Sequence, residues 1–347
     1  MKGDEAEKMM FDLEPTIEKT LLRAGDGAYV SYRIPGIVMA HCQTLLACCE
    51  GRSHARSDWG SIDILLARSE DDGATWSPFR VIQGQTDASA VHTYSNPTLI
   101  VDNELIHLIY HCDYRQAFVL HSADDGCTWS EPEEITDTFL QFPFGWNVCA
   151  TGPGHGIRLQ EGRLLAPIWL ACGEEENGVR KHFPSVAGYI YSDDRGKTWK
   201  AGPLASELFD GNETTVAQTC TGSVLFNFRT RHACHKRFIG RLEAGTAAYS
   251  DIQMAEALDD PMCFGSMLCL ANGEIAFVNC GSAVERRDLT LHISSDSGAS
   301  WRYAGRLDPS GGYADIACAG KRLYVLFERS DTESKCVQEL VLKVFIL

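Results

Sequence analysis

Short hydrophobic segments with an alternating pattern recur along the whole chain, separated by polar residues, glycine and proline. Alternation of apolar and polar positions over about four to eight residues is typical of half-buried β-strands. Four such segments lead directly into similar polar turns, at residues 62–68, 117–121, 186–191 and 289–293. Further strand candidates lie between them, at residues 98–101, 105–110, 164–169, 223–228 and 274–278. The pattern predicts an all-β protein.

The polar turns share the pattern Ser-x-Asp-x-Gly-x-Thr/Ser-Trp. We expect the Asp side chain to accept hydrogen bonds from backbone amides across the turn and the Gly to supply a positive φ. We expect the Trp ring to pack beneath the turn. The four copies cover residues 69–76, 122–129, 192–199 and 294–301.

The spacing of this repeat predicts how many structural units the chain contains. Successive copies begin 53, 70 and 102 residues apart. A four-stranded propeller blade takes roughly 50 residues, so the chain has room for about six blades. The longest interval suits two blades, one with a degenerate hairpin at residues 247–251. We therefore predict a lead segment over residues 1–19 and one six-bladed β-propeller over residues 20–347. We expect pairing of the terminal strands to close the ring, with residues 340–347 as a candidate.

Composition and charge narrow the function classes. The 347 residues are 44% hydrophobic, enough for a sizeable core. The sequence contains no run of 18 apolar residues, so we predict no transmembrane span. The net charge of −16 should repel nucleic acid and anionic membranes, so we expect no nucleic-acid partner. An anionic substrate would need a locally positive pocket, which makes clustered arginines informative.

The cysteines bear on the compartment. There are 14, with no CxxC pair, so neither a zinc ribbon nor a thioredoxin-like motif is supported. Their even number is compatible with disulfides. The first residues carry acidic side chains and no apolar signal segment, which favours free thiols in a reducing cytoplasm. Secretion is the alternative if a leader precedes this sequence.

Between the repeats, several short motifs follow one another in a fixed order. They include Tyr32-Arg33-Ile34-Pro35, Glu50-Gly51-Arg52, Asp58, Tyr94-Ser95-Asn96-Pro97, Asn212-Glu213, Arg229, Arg286-Arg287-Asp288-Leu289, Gly312-Tyr313 and Glu328. The repeat itself resembles the Asp-box, which is specific for propeller hairpins and uninformative about activity. The ordered motifs are similar to those of the retaining exo-α-sialidases, over roughly residues 29–330.

This resemblance implies a glycoside hydrolase that cleaves terminal sialic acid from oligosaccharides, glycoproteins and glycolipids. Tyr313 matches the family's nucleophile, Glu213 its base and Asp58 its acid/base. A neutral phenol avoids the repulsion that a carboxylate would meet at an anomeric carbon already bearing a carboxylate. The phenol, with a usual pKa of about 10, needs a base to remove its proton. Asp63 is the rival carboxylate and is expected to be structural.

The resemblance also implies the residues that bind the sugar. Arg33, Arg229 and Arg286 match the three arginines that hold the substrate carboxylate, a task suited to the planar guanidinium fork. Arg287 adjoins Arg286 and is the alternative. Other predicted positions are Glu328 as the brace of Arg33, Arg52 and Asn96 near the sugar's O4 hydroxyl, and an apolar N-acetyl pocket among Trp59, Phe118, Phe144, Trp146 and Trp169.

Two other functions remain open: a trans-sialidase, which transfers the sugar to an acceptor sugar, and a non-catalytic sialic-acid-binding propeller. A non-catalytic propeller predicts loss of at least one catalytic residue, whereas Asp58, Glu213 and Tyr313 are all present. His155 lies in a glycine-rich turn and is expected to be structural, and His232 and His235 form an isolated cluster. The implied mechanism needs neither a metal nor an organic cofactor.

Overall fold

Six mainly antiparallel β-sheets form the blades of a propeller in the computed structural model. The structure describes residues 11–54, 57–85, 91–242, 248–330 and 336–347. The predicted all-β, six-bladed architecture is confirmed. The described part of the chain contains no helix that is long and apolar enough to span a membrane.

The strands follow the chain blade by blade, except that the first strand, β1 (Ile17–Arg23), belongs to the last blade. Blade 1 comprises β2 (Ser31–Met39), β3 (Leu45–Arg52), β4 (Ile62–Ser69) and β5 (Arg80–Gln83), and blade 2 comprises β6 (Tyr94–Asp102), β7 (Leu105–Cys112), β8 (Gln116–Ser122) and β9 (Glu133–Glu134). There follow the single-turn helix α1 (Thr136–Phe139), β10 (Val148–Thr151), β11 (Gly154–His155), β12 (Ile157–Arg158), β13 (Leu164–Ala171), the hairpin β14 (Glu175–Glu176) and β15 (Val179–Arg180), β16 (Ser185–Ser192) and β17 (Lys200–Leu204). Of these, β10, β12, β13, β16 and β17 form blade 3, while β11 pairs with β6 of blade 2.

The second half of the chain is more regular. Blade 4 comprises β18 (Gly211–Gln218), β19 (Val224–Thr230), β20 (Lys236–Leu242) and β21 (Ser250–Asp259), blade 5 comprises β22 (Ser266–Cys269), β23 (Ile275–Cys280), β24 (Arg287–Ser294) and β25 (Arg302–Ser310), and blade 6 comprises β26 (Ala314–Ala319), β27 (Arg322–Ser330), β28 (Val337–Ile346) and β1.

The core is divided among the interfaces between blades. Six hydrophobic clusters each join residues of two neighbouring blades, and together they run around the whole ring. The second strands β3 and β13 are buried along their whole length because both of their faces are packed. The outer strand β5 keeps two exposed residues. This burial gradient explains why the inner segments read as nearly continuous apolar runs.

The four repeats form the hairpins between the third and fourth strands of blades 1, 2, 3 and 5, as predicted. In the first copy, Asp71 accepts hydrogen bonds from the Thr75 amide at 2.8 Å and the Thr75 hydroxyl at 2.6 Å. Gly73 has a φ of 87°, and the Trp76 indole donates to its carbonyl at 3.0 Å. The 102-residue interval does contain two blades. The expected degenerate hairpin joins β20 to β21, with residue 247 outside the described residues and 248–251 within them.

The ring is closed by its two ends. β1 pairs antiparallel with β28, from Ile17 opposite Val344 to Arg23 opposite Glu339. Because β1 begins at Ile17, the boundary we placed between residues 19 and 20 falls within this strand. Residues 11–13, in the predicted lead segment, lie along β25, where the Leu13 amide donates to the Arg306 carbonyl at 2.8 Å.

The 14 cysteines differ in burial. Six are buried and behave as small apolar residues of the core: Cys48, Cys49, Cys112, Cys149, Cys263 and Cys280.

Candidate active site

A cavity of about 190 Å³ gathers side chains from strands of blades 1, 2, 3 and 4 and from connections between strands, among them those that carry Asp58, His182, Arg286 and Tyr313. Eight of the nine site residues predicted from sequence line it, namely Arg33, Arg52, Asp58, Asn96, Glu213, Arg229, Arg286 and Tyr313. The ninth, Glu328, is buried behind Arg33. A larger cavity of about 440 Å³ lies beside residues 216–220 and 268–273, but no carboxylate lines it. The smaller cavity therefore carries the candidate chemistry.

Tyr313 and Glu213 form the centre of this pocket. The Tyr313 hydroxyl donates to Glu213 Oε1 at 2.7 Å and accepts a hydrogen bond from Arg229 Nη1 at 2.7 Å. Burial raises the pKa of Tyr313 well above its usual range, Arg229 opposes this rise, and Glu213 adds to it. The phenol is therefore protonated at neutral pH, with its proton directed at a carboxylate. A weak nucleophile in contact with a base is the arrangement that covalent catalysis requires.

Three arginines surround the tyrosine ring. The guanidinium carbons of Arg33 and Arg286 each lie 5.1 Å from the centre of the Tyr313 ring, and that of Arg229 lies 5.9 Å from it. Such a convergence of fixed positive charges is suited to an anionic group, because each guanidinium offers paired, charge-assisted hydrogen bonds.

The structure also distinguishes Arg286 from its neighbour. Arg286 donates to the Met262 carbonyl at 3.0 Å and, among the described residues, makes no ion pair. Arg287 instead pairs with Glu285 at 3.1 Å and with Asp288 at 3.0 Å, and it does not line the pocket. The geometry favours Arg286 for binding an anion.

Glu328 connects the arginine cluster to the tyrosine. Its two oxygens accept from Arg33 Nε and Nη2, each at 3.1 Å, and also from the backbone amides of Ile34 at 2.9 Å and Tyr313 at 3.2 Å. Ile34 has a φ of 57°, a strained conformation for a β-branched residue. One buried carboxylate thus orients Arg33, holds the irregular backbone beside it and fixes the backbone of Tyr313.

A second buried carboxylate, Glu50 in blade 1, also binds both an arginine and a backbone amide. Glu50 accepts from Arg52 Nε at 2.7 Å and from the backbone amide of Asn96 at 2.8 Å. Asn96 has a φ of 53°, and its side chain donates to the Thr151 carbonyl at 3.0 Å. Ile34 and Asn96 each precede a proline in an inner strand with a register shift. The arrangement fixes Arg52 and Asn96 at one side of the pocket.

Asp58 lies between two of the arginines. Its Oδ1 is 2.8 Å from Arg52 Nη1 and 3.8 Å from Arg33 Nη1, and its side chain is 46% exposed. Desolvation raises the pKa of Asp58, but the charges of Arg52 and Arg33 outweigh that effect and hold the pKa well below its usual range. The rival carboxylate, Asp63, accepts from the Tyr29 hydroxyl at 2.6 Å and does not line the pocket.

An aromatic wall completes the pocket. The centre of the His182 ring lies 4.7 Å from that of Tyr114 and 5.1 Å from that of Trp169, and the ring centres of Trp59 and Tyr114 are 5.0 Å apart. Burial lowers the pKa of His182 to about 4, so this imidazole is neutral at physiological pH.

Only part of this wall was predicted. Of the five aromatic candidates, Trp169 lines the pocket and Trp59 packs behind it, whereas Phe118, Phe144 and Trp146 lie in the clusters between blades. Tyr114 and His182 were missed because they lie in irregular connections without a periodic pattern or a recognisable motif.

The three histidines singled out from the sequence, His155, His232 and His235, do not line the pocket. His155 Nδ1 contacts Asp315 Oδ1 at 2.7 Å in a buried pair, consistent with a structural role. His232 Nδ1 accepts from the Cys234 amide at 3.1 Å within its own turn.

Comparisons with known proteins identify the family. The model of the BNR repeat-like domain matches residues 43–325. The chain is 29% identical over 337 residues to an Exo-alpha-sialidase of Aspergillus fumigatus, a match that covers 84% of this chain and 76% of that protein. It is 31% identical over 212 residues to human Sialidase-3, covering 53% of this chain and 48% of that protein.

Solved structures agree on the fold. A Hadza microbial sialidase superposes with a TM-score of 0.82 at 24% identity, covering 95% of this chain and 68% of that chain. The intramolecular trans-sialidase from Ruminococcus gnavus superposes with a TM-score of 0.75 at 14% identity, covering 94% and 97%. With the family match spanning most of the propeller, the chain belongs to the BNR repeat-like domain family and, as its motifs predicted, to the sialidases that carry Asp-boxes.

Proposed function

We propose that this chain is an exo-α-sialidase, a glycoside hydrolase that releases terminal sialic acid from sialylated glycans with retention of configuration. One observation carries the proposal: the hydroxyl of Tyr313 contacts Glu213 at 2.7 Å inside a ring of three arginines. A pocket built for an anion and an activated tyrosine nucleophile are together what a sugar with a carboxylate on its anomeric carbon demands.

Substrate binding begins with charge. The protein as a whole carries −16, whereas Arg33, Arg229 and Arg286 make the pocket locally positive. The carboxylate of sialic acid binds these guanidinium groups, and the rest of the sugar extends toward Arg52 and Asn96. The other end of the substrate lies near the opening beside Asp58.

The reaction proceeds in two displacements. As the Tyr313 oxygen attacks the anomeric carbon, its proton passes to Glu213, the glycosidic bond breaks, and the leaving oxygen takes a proton from Asp58. Asp58 then removes a proton from a water molecule that attacks the same carbon, and the departing Tyr313 oxygen recovers its proton from Glu213. Two inversions at one carbon give net retention.

The charge state of Asp58 is linked to substrate binding. Arg52 and Arg33 keep its carboxyl ionised in the free enzyme, whereas a general acid must be protonated. When the substrate carboxylate pairs with Arg33, part of this positive charge is neutralised, and the pKa of Asp58 rises toward the working range. Binding thereby prepares the acid for the first step.

Two further proposals concern partners and location. We propose that nucleic acid is not a partner, on the strength of the net charge of −16. We also propose a reducing compartment, the cytoplasm, where the thiols of the six buried cysteines would stay reduced.

Hydrolysis of a fluorogenic aryl sialoside and of sialyllactose tests the proposed activity. Tyr313→Phe should lower turnover of both substrates by about 100-fold or more, because the nucleophile is lost while the fold is kept. The matched control is Tyr324→Phe, whose hydroxyl contacts Asp72 away from the pocket, and it should keep wild-type turnover.

Two outcomes would replace the proposal by an alternative. Wild-type protein that binds sialic acid without turnover would be a sialic-acid-binding propeller. Wild-type protein that passes the sugar to added lactose, with little free sialic acid, would be a trans-sialidase.

A further inference from the structure

Outside the pocket, three side chains of different metal-ligating types converge on one point. His92 Nδ1 lies 2.9 Å from Asp113 Oδ2, and Cys112 Sγ lies 3.8 Å from His92 Nδ1 and 3.7 Å from Asp113 Oδ2. Among the residues described, this is the one group of at least three His, Cys, Asp or Glu side chains whose ligand atoms all lie within 4.8 Å of one another. We propose that His92, Cys112 and Asp113 bind a divalent zinc-class ion at a site that is separate from the catalytic residues.

The dimensions of this triangle suit a tetrahedral ion. Sulfur, nitrogen and oxygen ligands bound to zinc at their usual distances, in tetrahedral geometry, lie about 3.3–3.6 Å from one another. The three observed separations depart from these values by only a few tenths of an ångström, so small side-chain rotations suffice. A thiolate, an imidazole and a carboxylate together favour zinc over magnesium or calcium, which prefer oxygen ligands alone.

Neighbouring groups already orient the ligands. The second oxygen of Asp113 accepts from the Thr93 amide at 2.8 Å, which leaves Oδ2 free to face the triangle. The Gln85 side chain accepts from the His92 amide and donates to the His92 carbonyl, both at 2.8 Å. Outer contacts of this kind are what hold metal ligands in position.

The site is open on one side. Cys112 is 6% exposed, whereas the side chains of His92 and Asp113 are 41% and 38% exposed. The thiolate would therefore bind from the protein side, and a water molecule would occupy the fourth position from the solvent side. This open edge also provides the entry path for the ion.

A single residue joins this site to the loop of the catalytic acid. The Thr93 hydroxyl donates to the Gly60 carbonyl at 2.9 Å and accepts from the Gly60 amide at 3.0 Å, two residues after Asp58. An ion that holds Asp113 also holds Thr93, because the Thr93 amide is bonded to Asp113. The inference about metal binding does not rest on the proposed sialidase activity.

The test uses the full chain, stripped of metal with a chelator and then titrated with Zn²⁺ by calorimetry and with Co²⁺ by absorption spectroscopy. Wild-type protein should bind one more equivalent of Zn²⁺ than Cys112→Ser does. If both bind the same number of equivalents, wild type should bind this Zn²⁺ about 100-fold more tightly than Cys112→Ser. The Co²⁺ complex should show a thiolate charge-transfer band that Cys112→Ser loses. Cys127→Ser removes an exposed cysteine elsewhere and should behave as wild type.

A second variant keeps the result interpretable. His92→Ala should lose the same equivalent, and thermal melting in chelator shows whether either variant has lost its fold. Zn²⁺ should raise the melting temperature of wild type and Cys127→Ser but not of the two site variants. Equal stoichiometry, affinity and cobalt spectra for wild type and Cys112→Ser would overturn the proposal and leave His92 and Asp113 as an ordinary ion pair.

Discussion

At the residue scale, Asp58 shows how neighbours set the charge on which a catalytic role depends. Its pKa lies well below the usual range because Arg52 and Arg33 outweigh desolvation. Asp58 loses its proton as pH rises. Because the substrate carboxylate neutralises the charge of Arg33, Asp58 in the complex should lose its proton at a higher pH than in the free enzyme. With sialyllactose, the basic limb of kcat should therefore lie at higher pH than that of kcat/KM, which reports the free enzyme. Coinciding limbs would contradict this.

Substitution of Asp58 gives the companion control. Asp58→Ala should lower turnover of sialyllactose by about 100-fold or more, and turnover of an aryl sialoside far less, since its leaving group needs little protonation. Asp63→Ala, a carboxylate outside the pocket, should leave the ratio of the two rates unchanged.

The sequence predicted the nine site residues only through motifs of a known family. Nothing in their spacing shows that Glu328 and Tyr313 meet, because their contact depends on two strands lying side by side in blade 6. Tyr114 and His182 escaped prediction for a related reason. Their place in the pocket is set by irregular connections whose course no periodic pattern encodes.

At the scale of elements, each Asp-box hairpin depends on one carboxylate. Asp124 accepts from the Thr128 amide at 2.8 Å and hydroxyl at 2.6 Å, and these bonds lower its pKa to about 2. Asp124→Ala should destabilise the protein by about 1 kcal/mol at neutral pH. A carboxylate with a depressed pKa stabilises the fold above its unfolded pKa and loses that contribution as pH falls toward 2.

Urea unfolding of wild type and Asp124→Ala between pH 7 and pH 2 measures this effect. The difference in stability should be constant down to about pH 4 and shrink below it. A difference that persists undiminished at the lowest pH would show that the hairpin does not depend on the ionised carboxylate.

Strands and Asp-box turns were predictable because each carries a local signal: alternating burial, or a fixed turn pattern. The start of β1 was harder to predict from the sequence, since Ile17 gains its partner only from β28 at the other end of the chain. Pairing between distant segments is decided by closure of the ring and leaves little trace in the local sequence.

At the scale of the whole molecule, one buried carboxylate ties the blades together at their inner strands. Asp315, on β26, accepts from the Ile37 amide at 2.8 Å, the Ser266 hydroxyl at 2.6 Å and His155 at 2.7 Å. These groups belong to blades 1, 5 and 2, so Asp315 links blade 6 to three others. It also lies two residues from Tyr313, which couples the nucleophile to the frame.

Removal of this carboxylate should therefore weaken the whole propeller. Asp315→Ala should cost about 3–5 kcal/mol in the free energy of unfolding, because His155 and two donors lose a buried partner. Asp193→Ala breaks exposed ion pairs with Arg163 and Lys200 and should cost at most about 1 kcal/mol. Similar losses for the two variants in urea titrations would contradict a linking role for Asp315.

Trapping of the covalent intermediate tests the central claim most directly. A fluorinated sialic acid with fluorine at C2 and C3 should label the wild-type chain, and intact-mass spectrometry should show one added fluorosialyl group. Peptide mapping should place this group on Tyr313, and Tyr324→Phe should be labelled equally. Tyr313→Phe should remain unlabelled. A label on Glu213 or Asp58, or undiminished labelling of Tyr313→Phe, would contradict the tyrosine nucleophile.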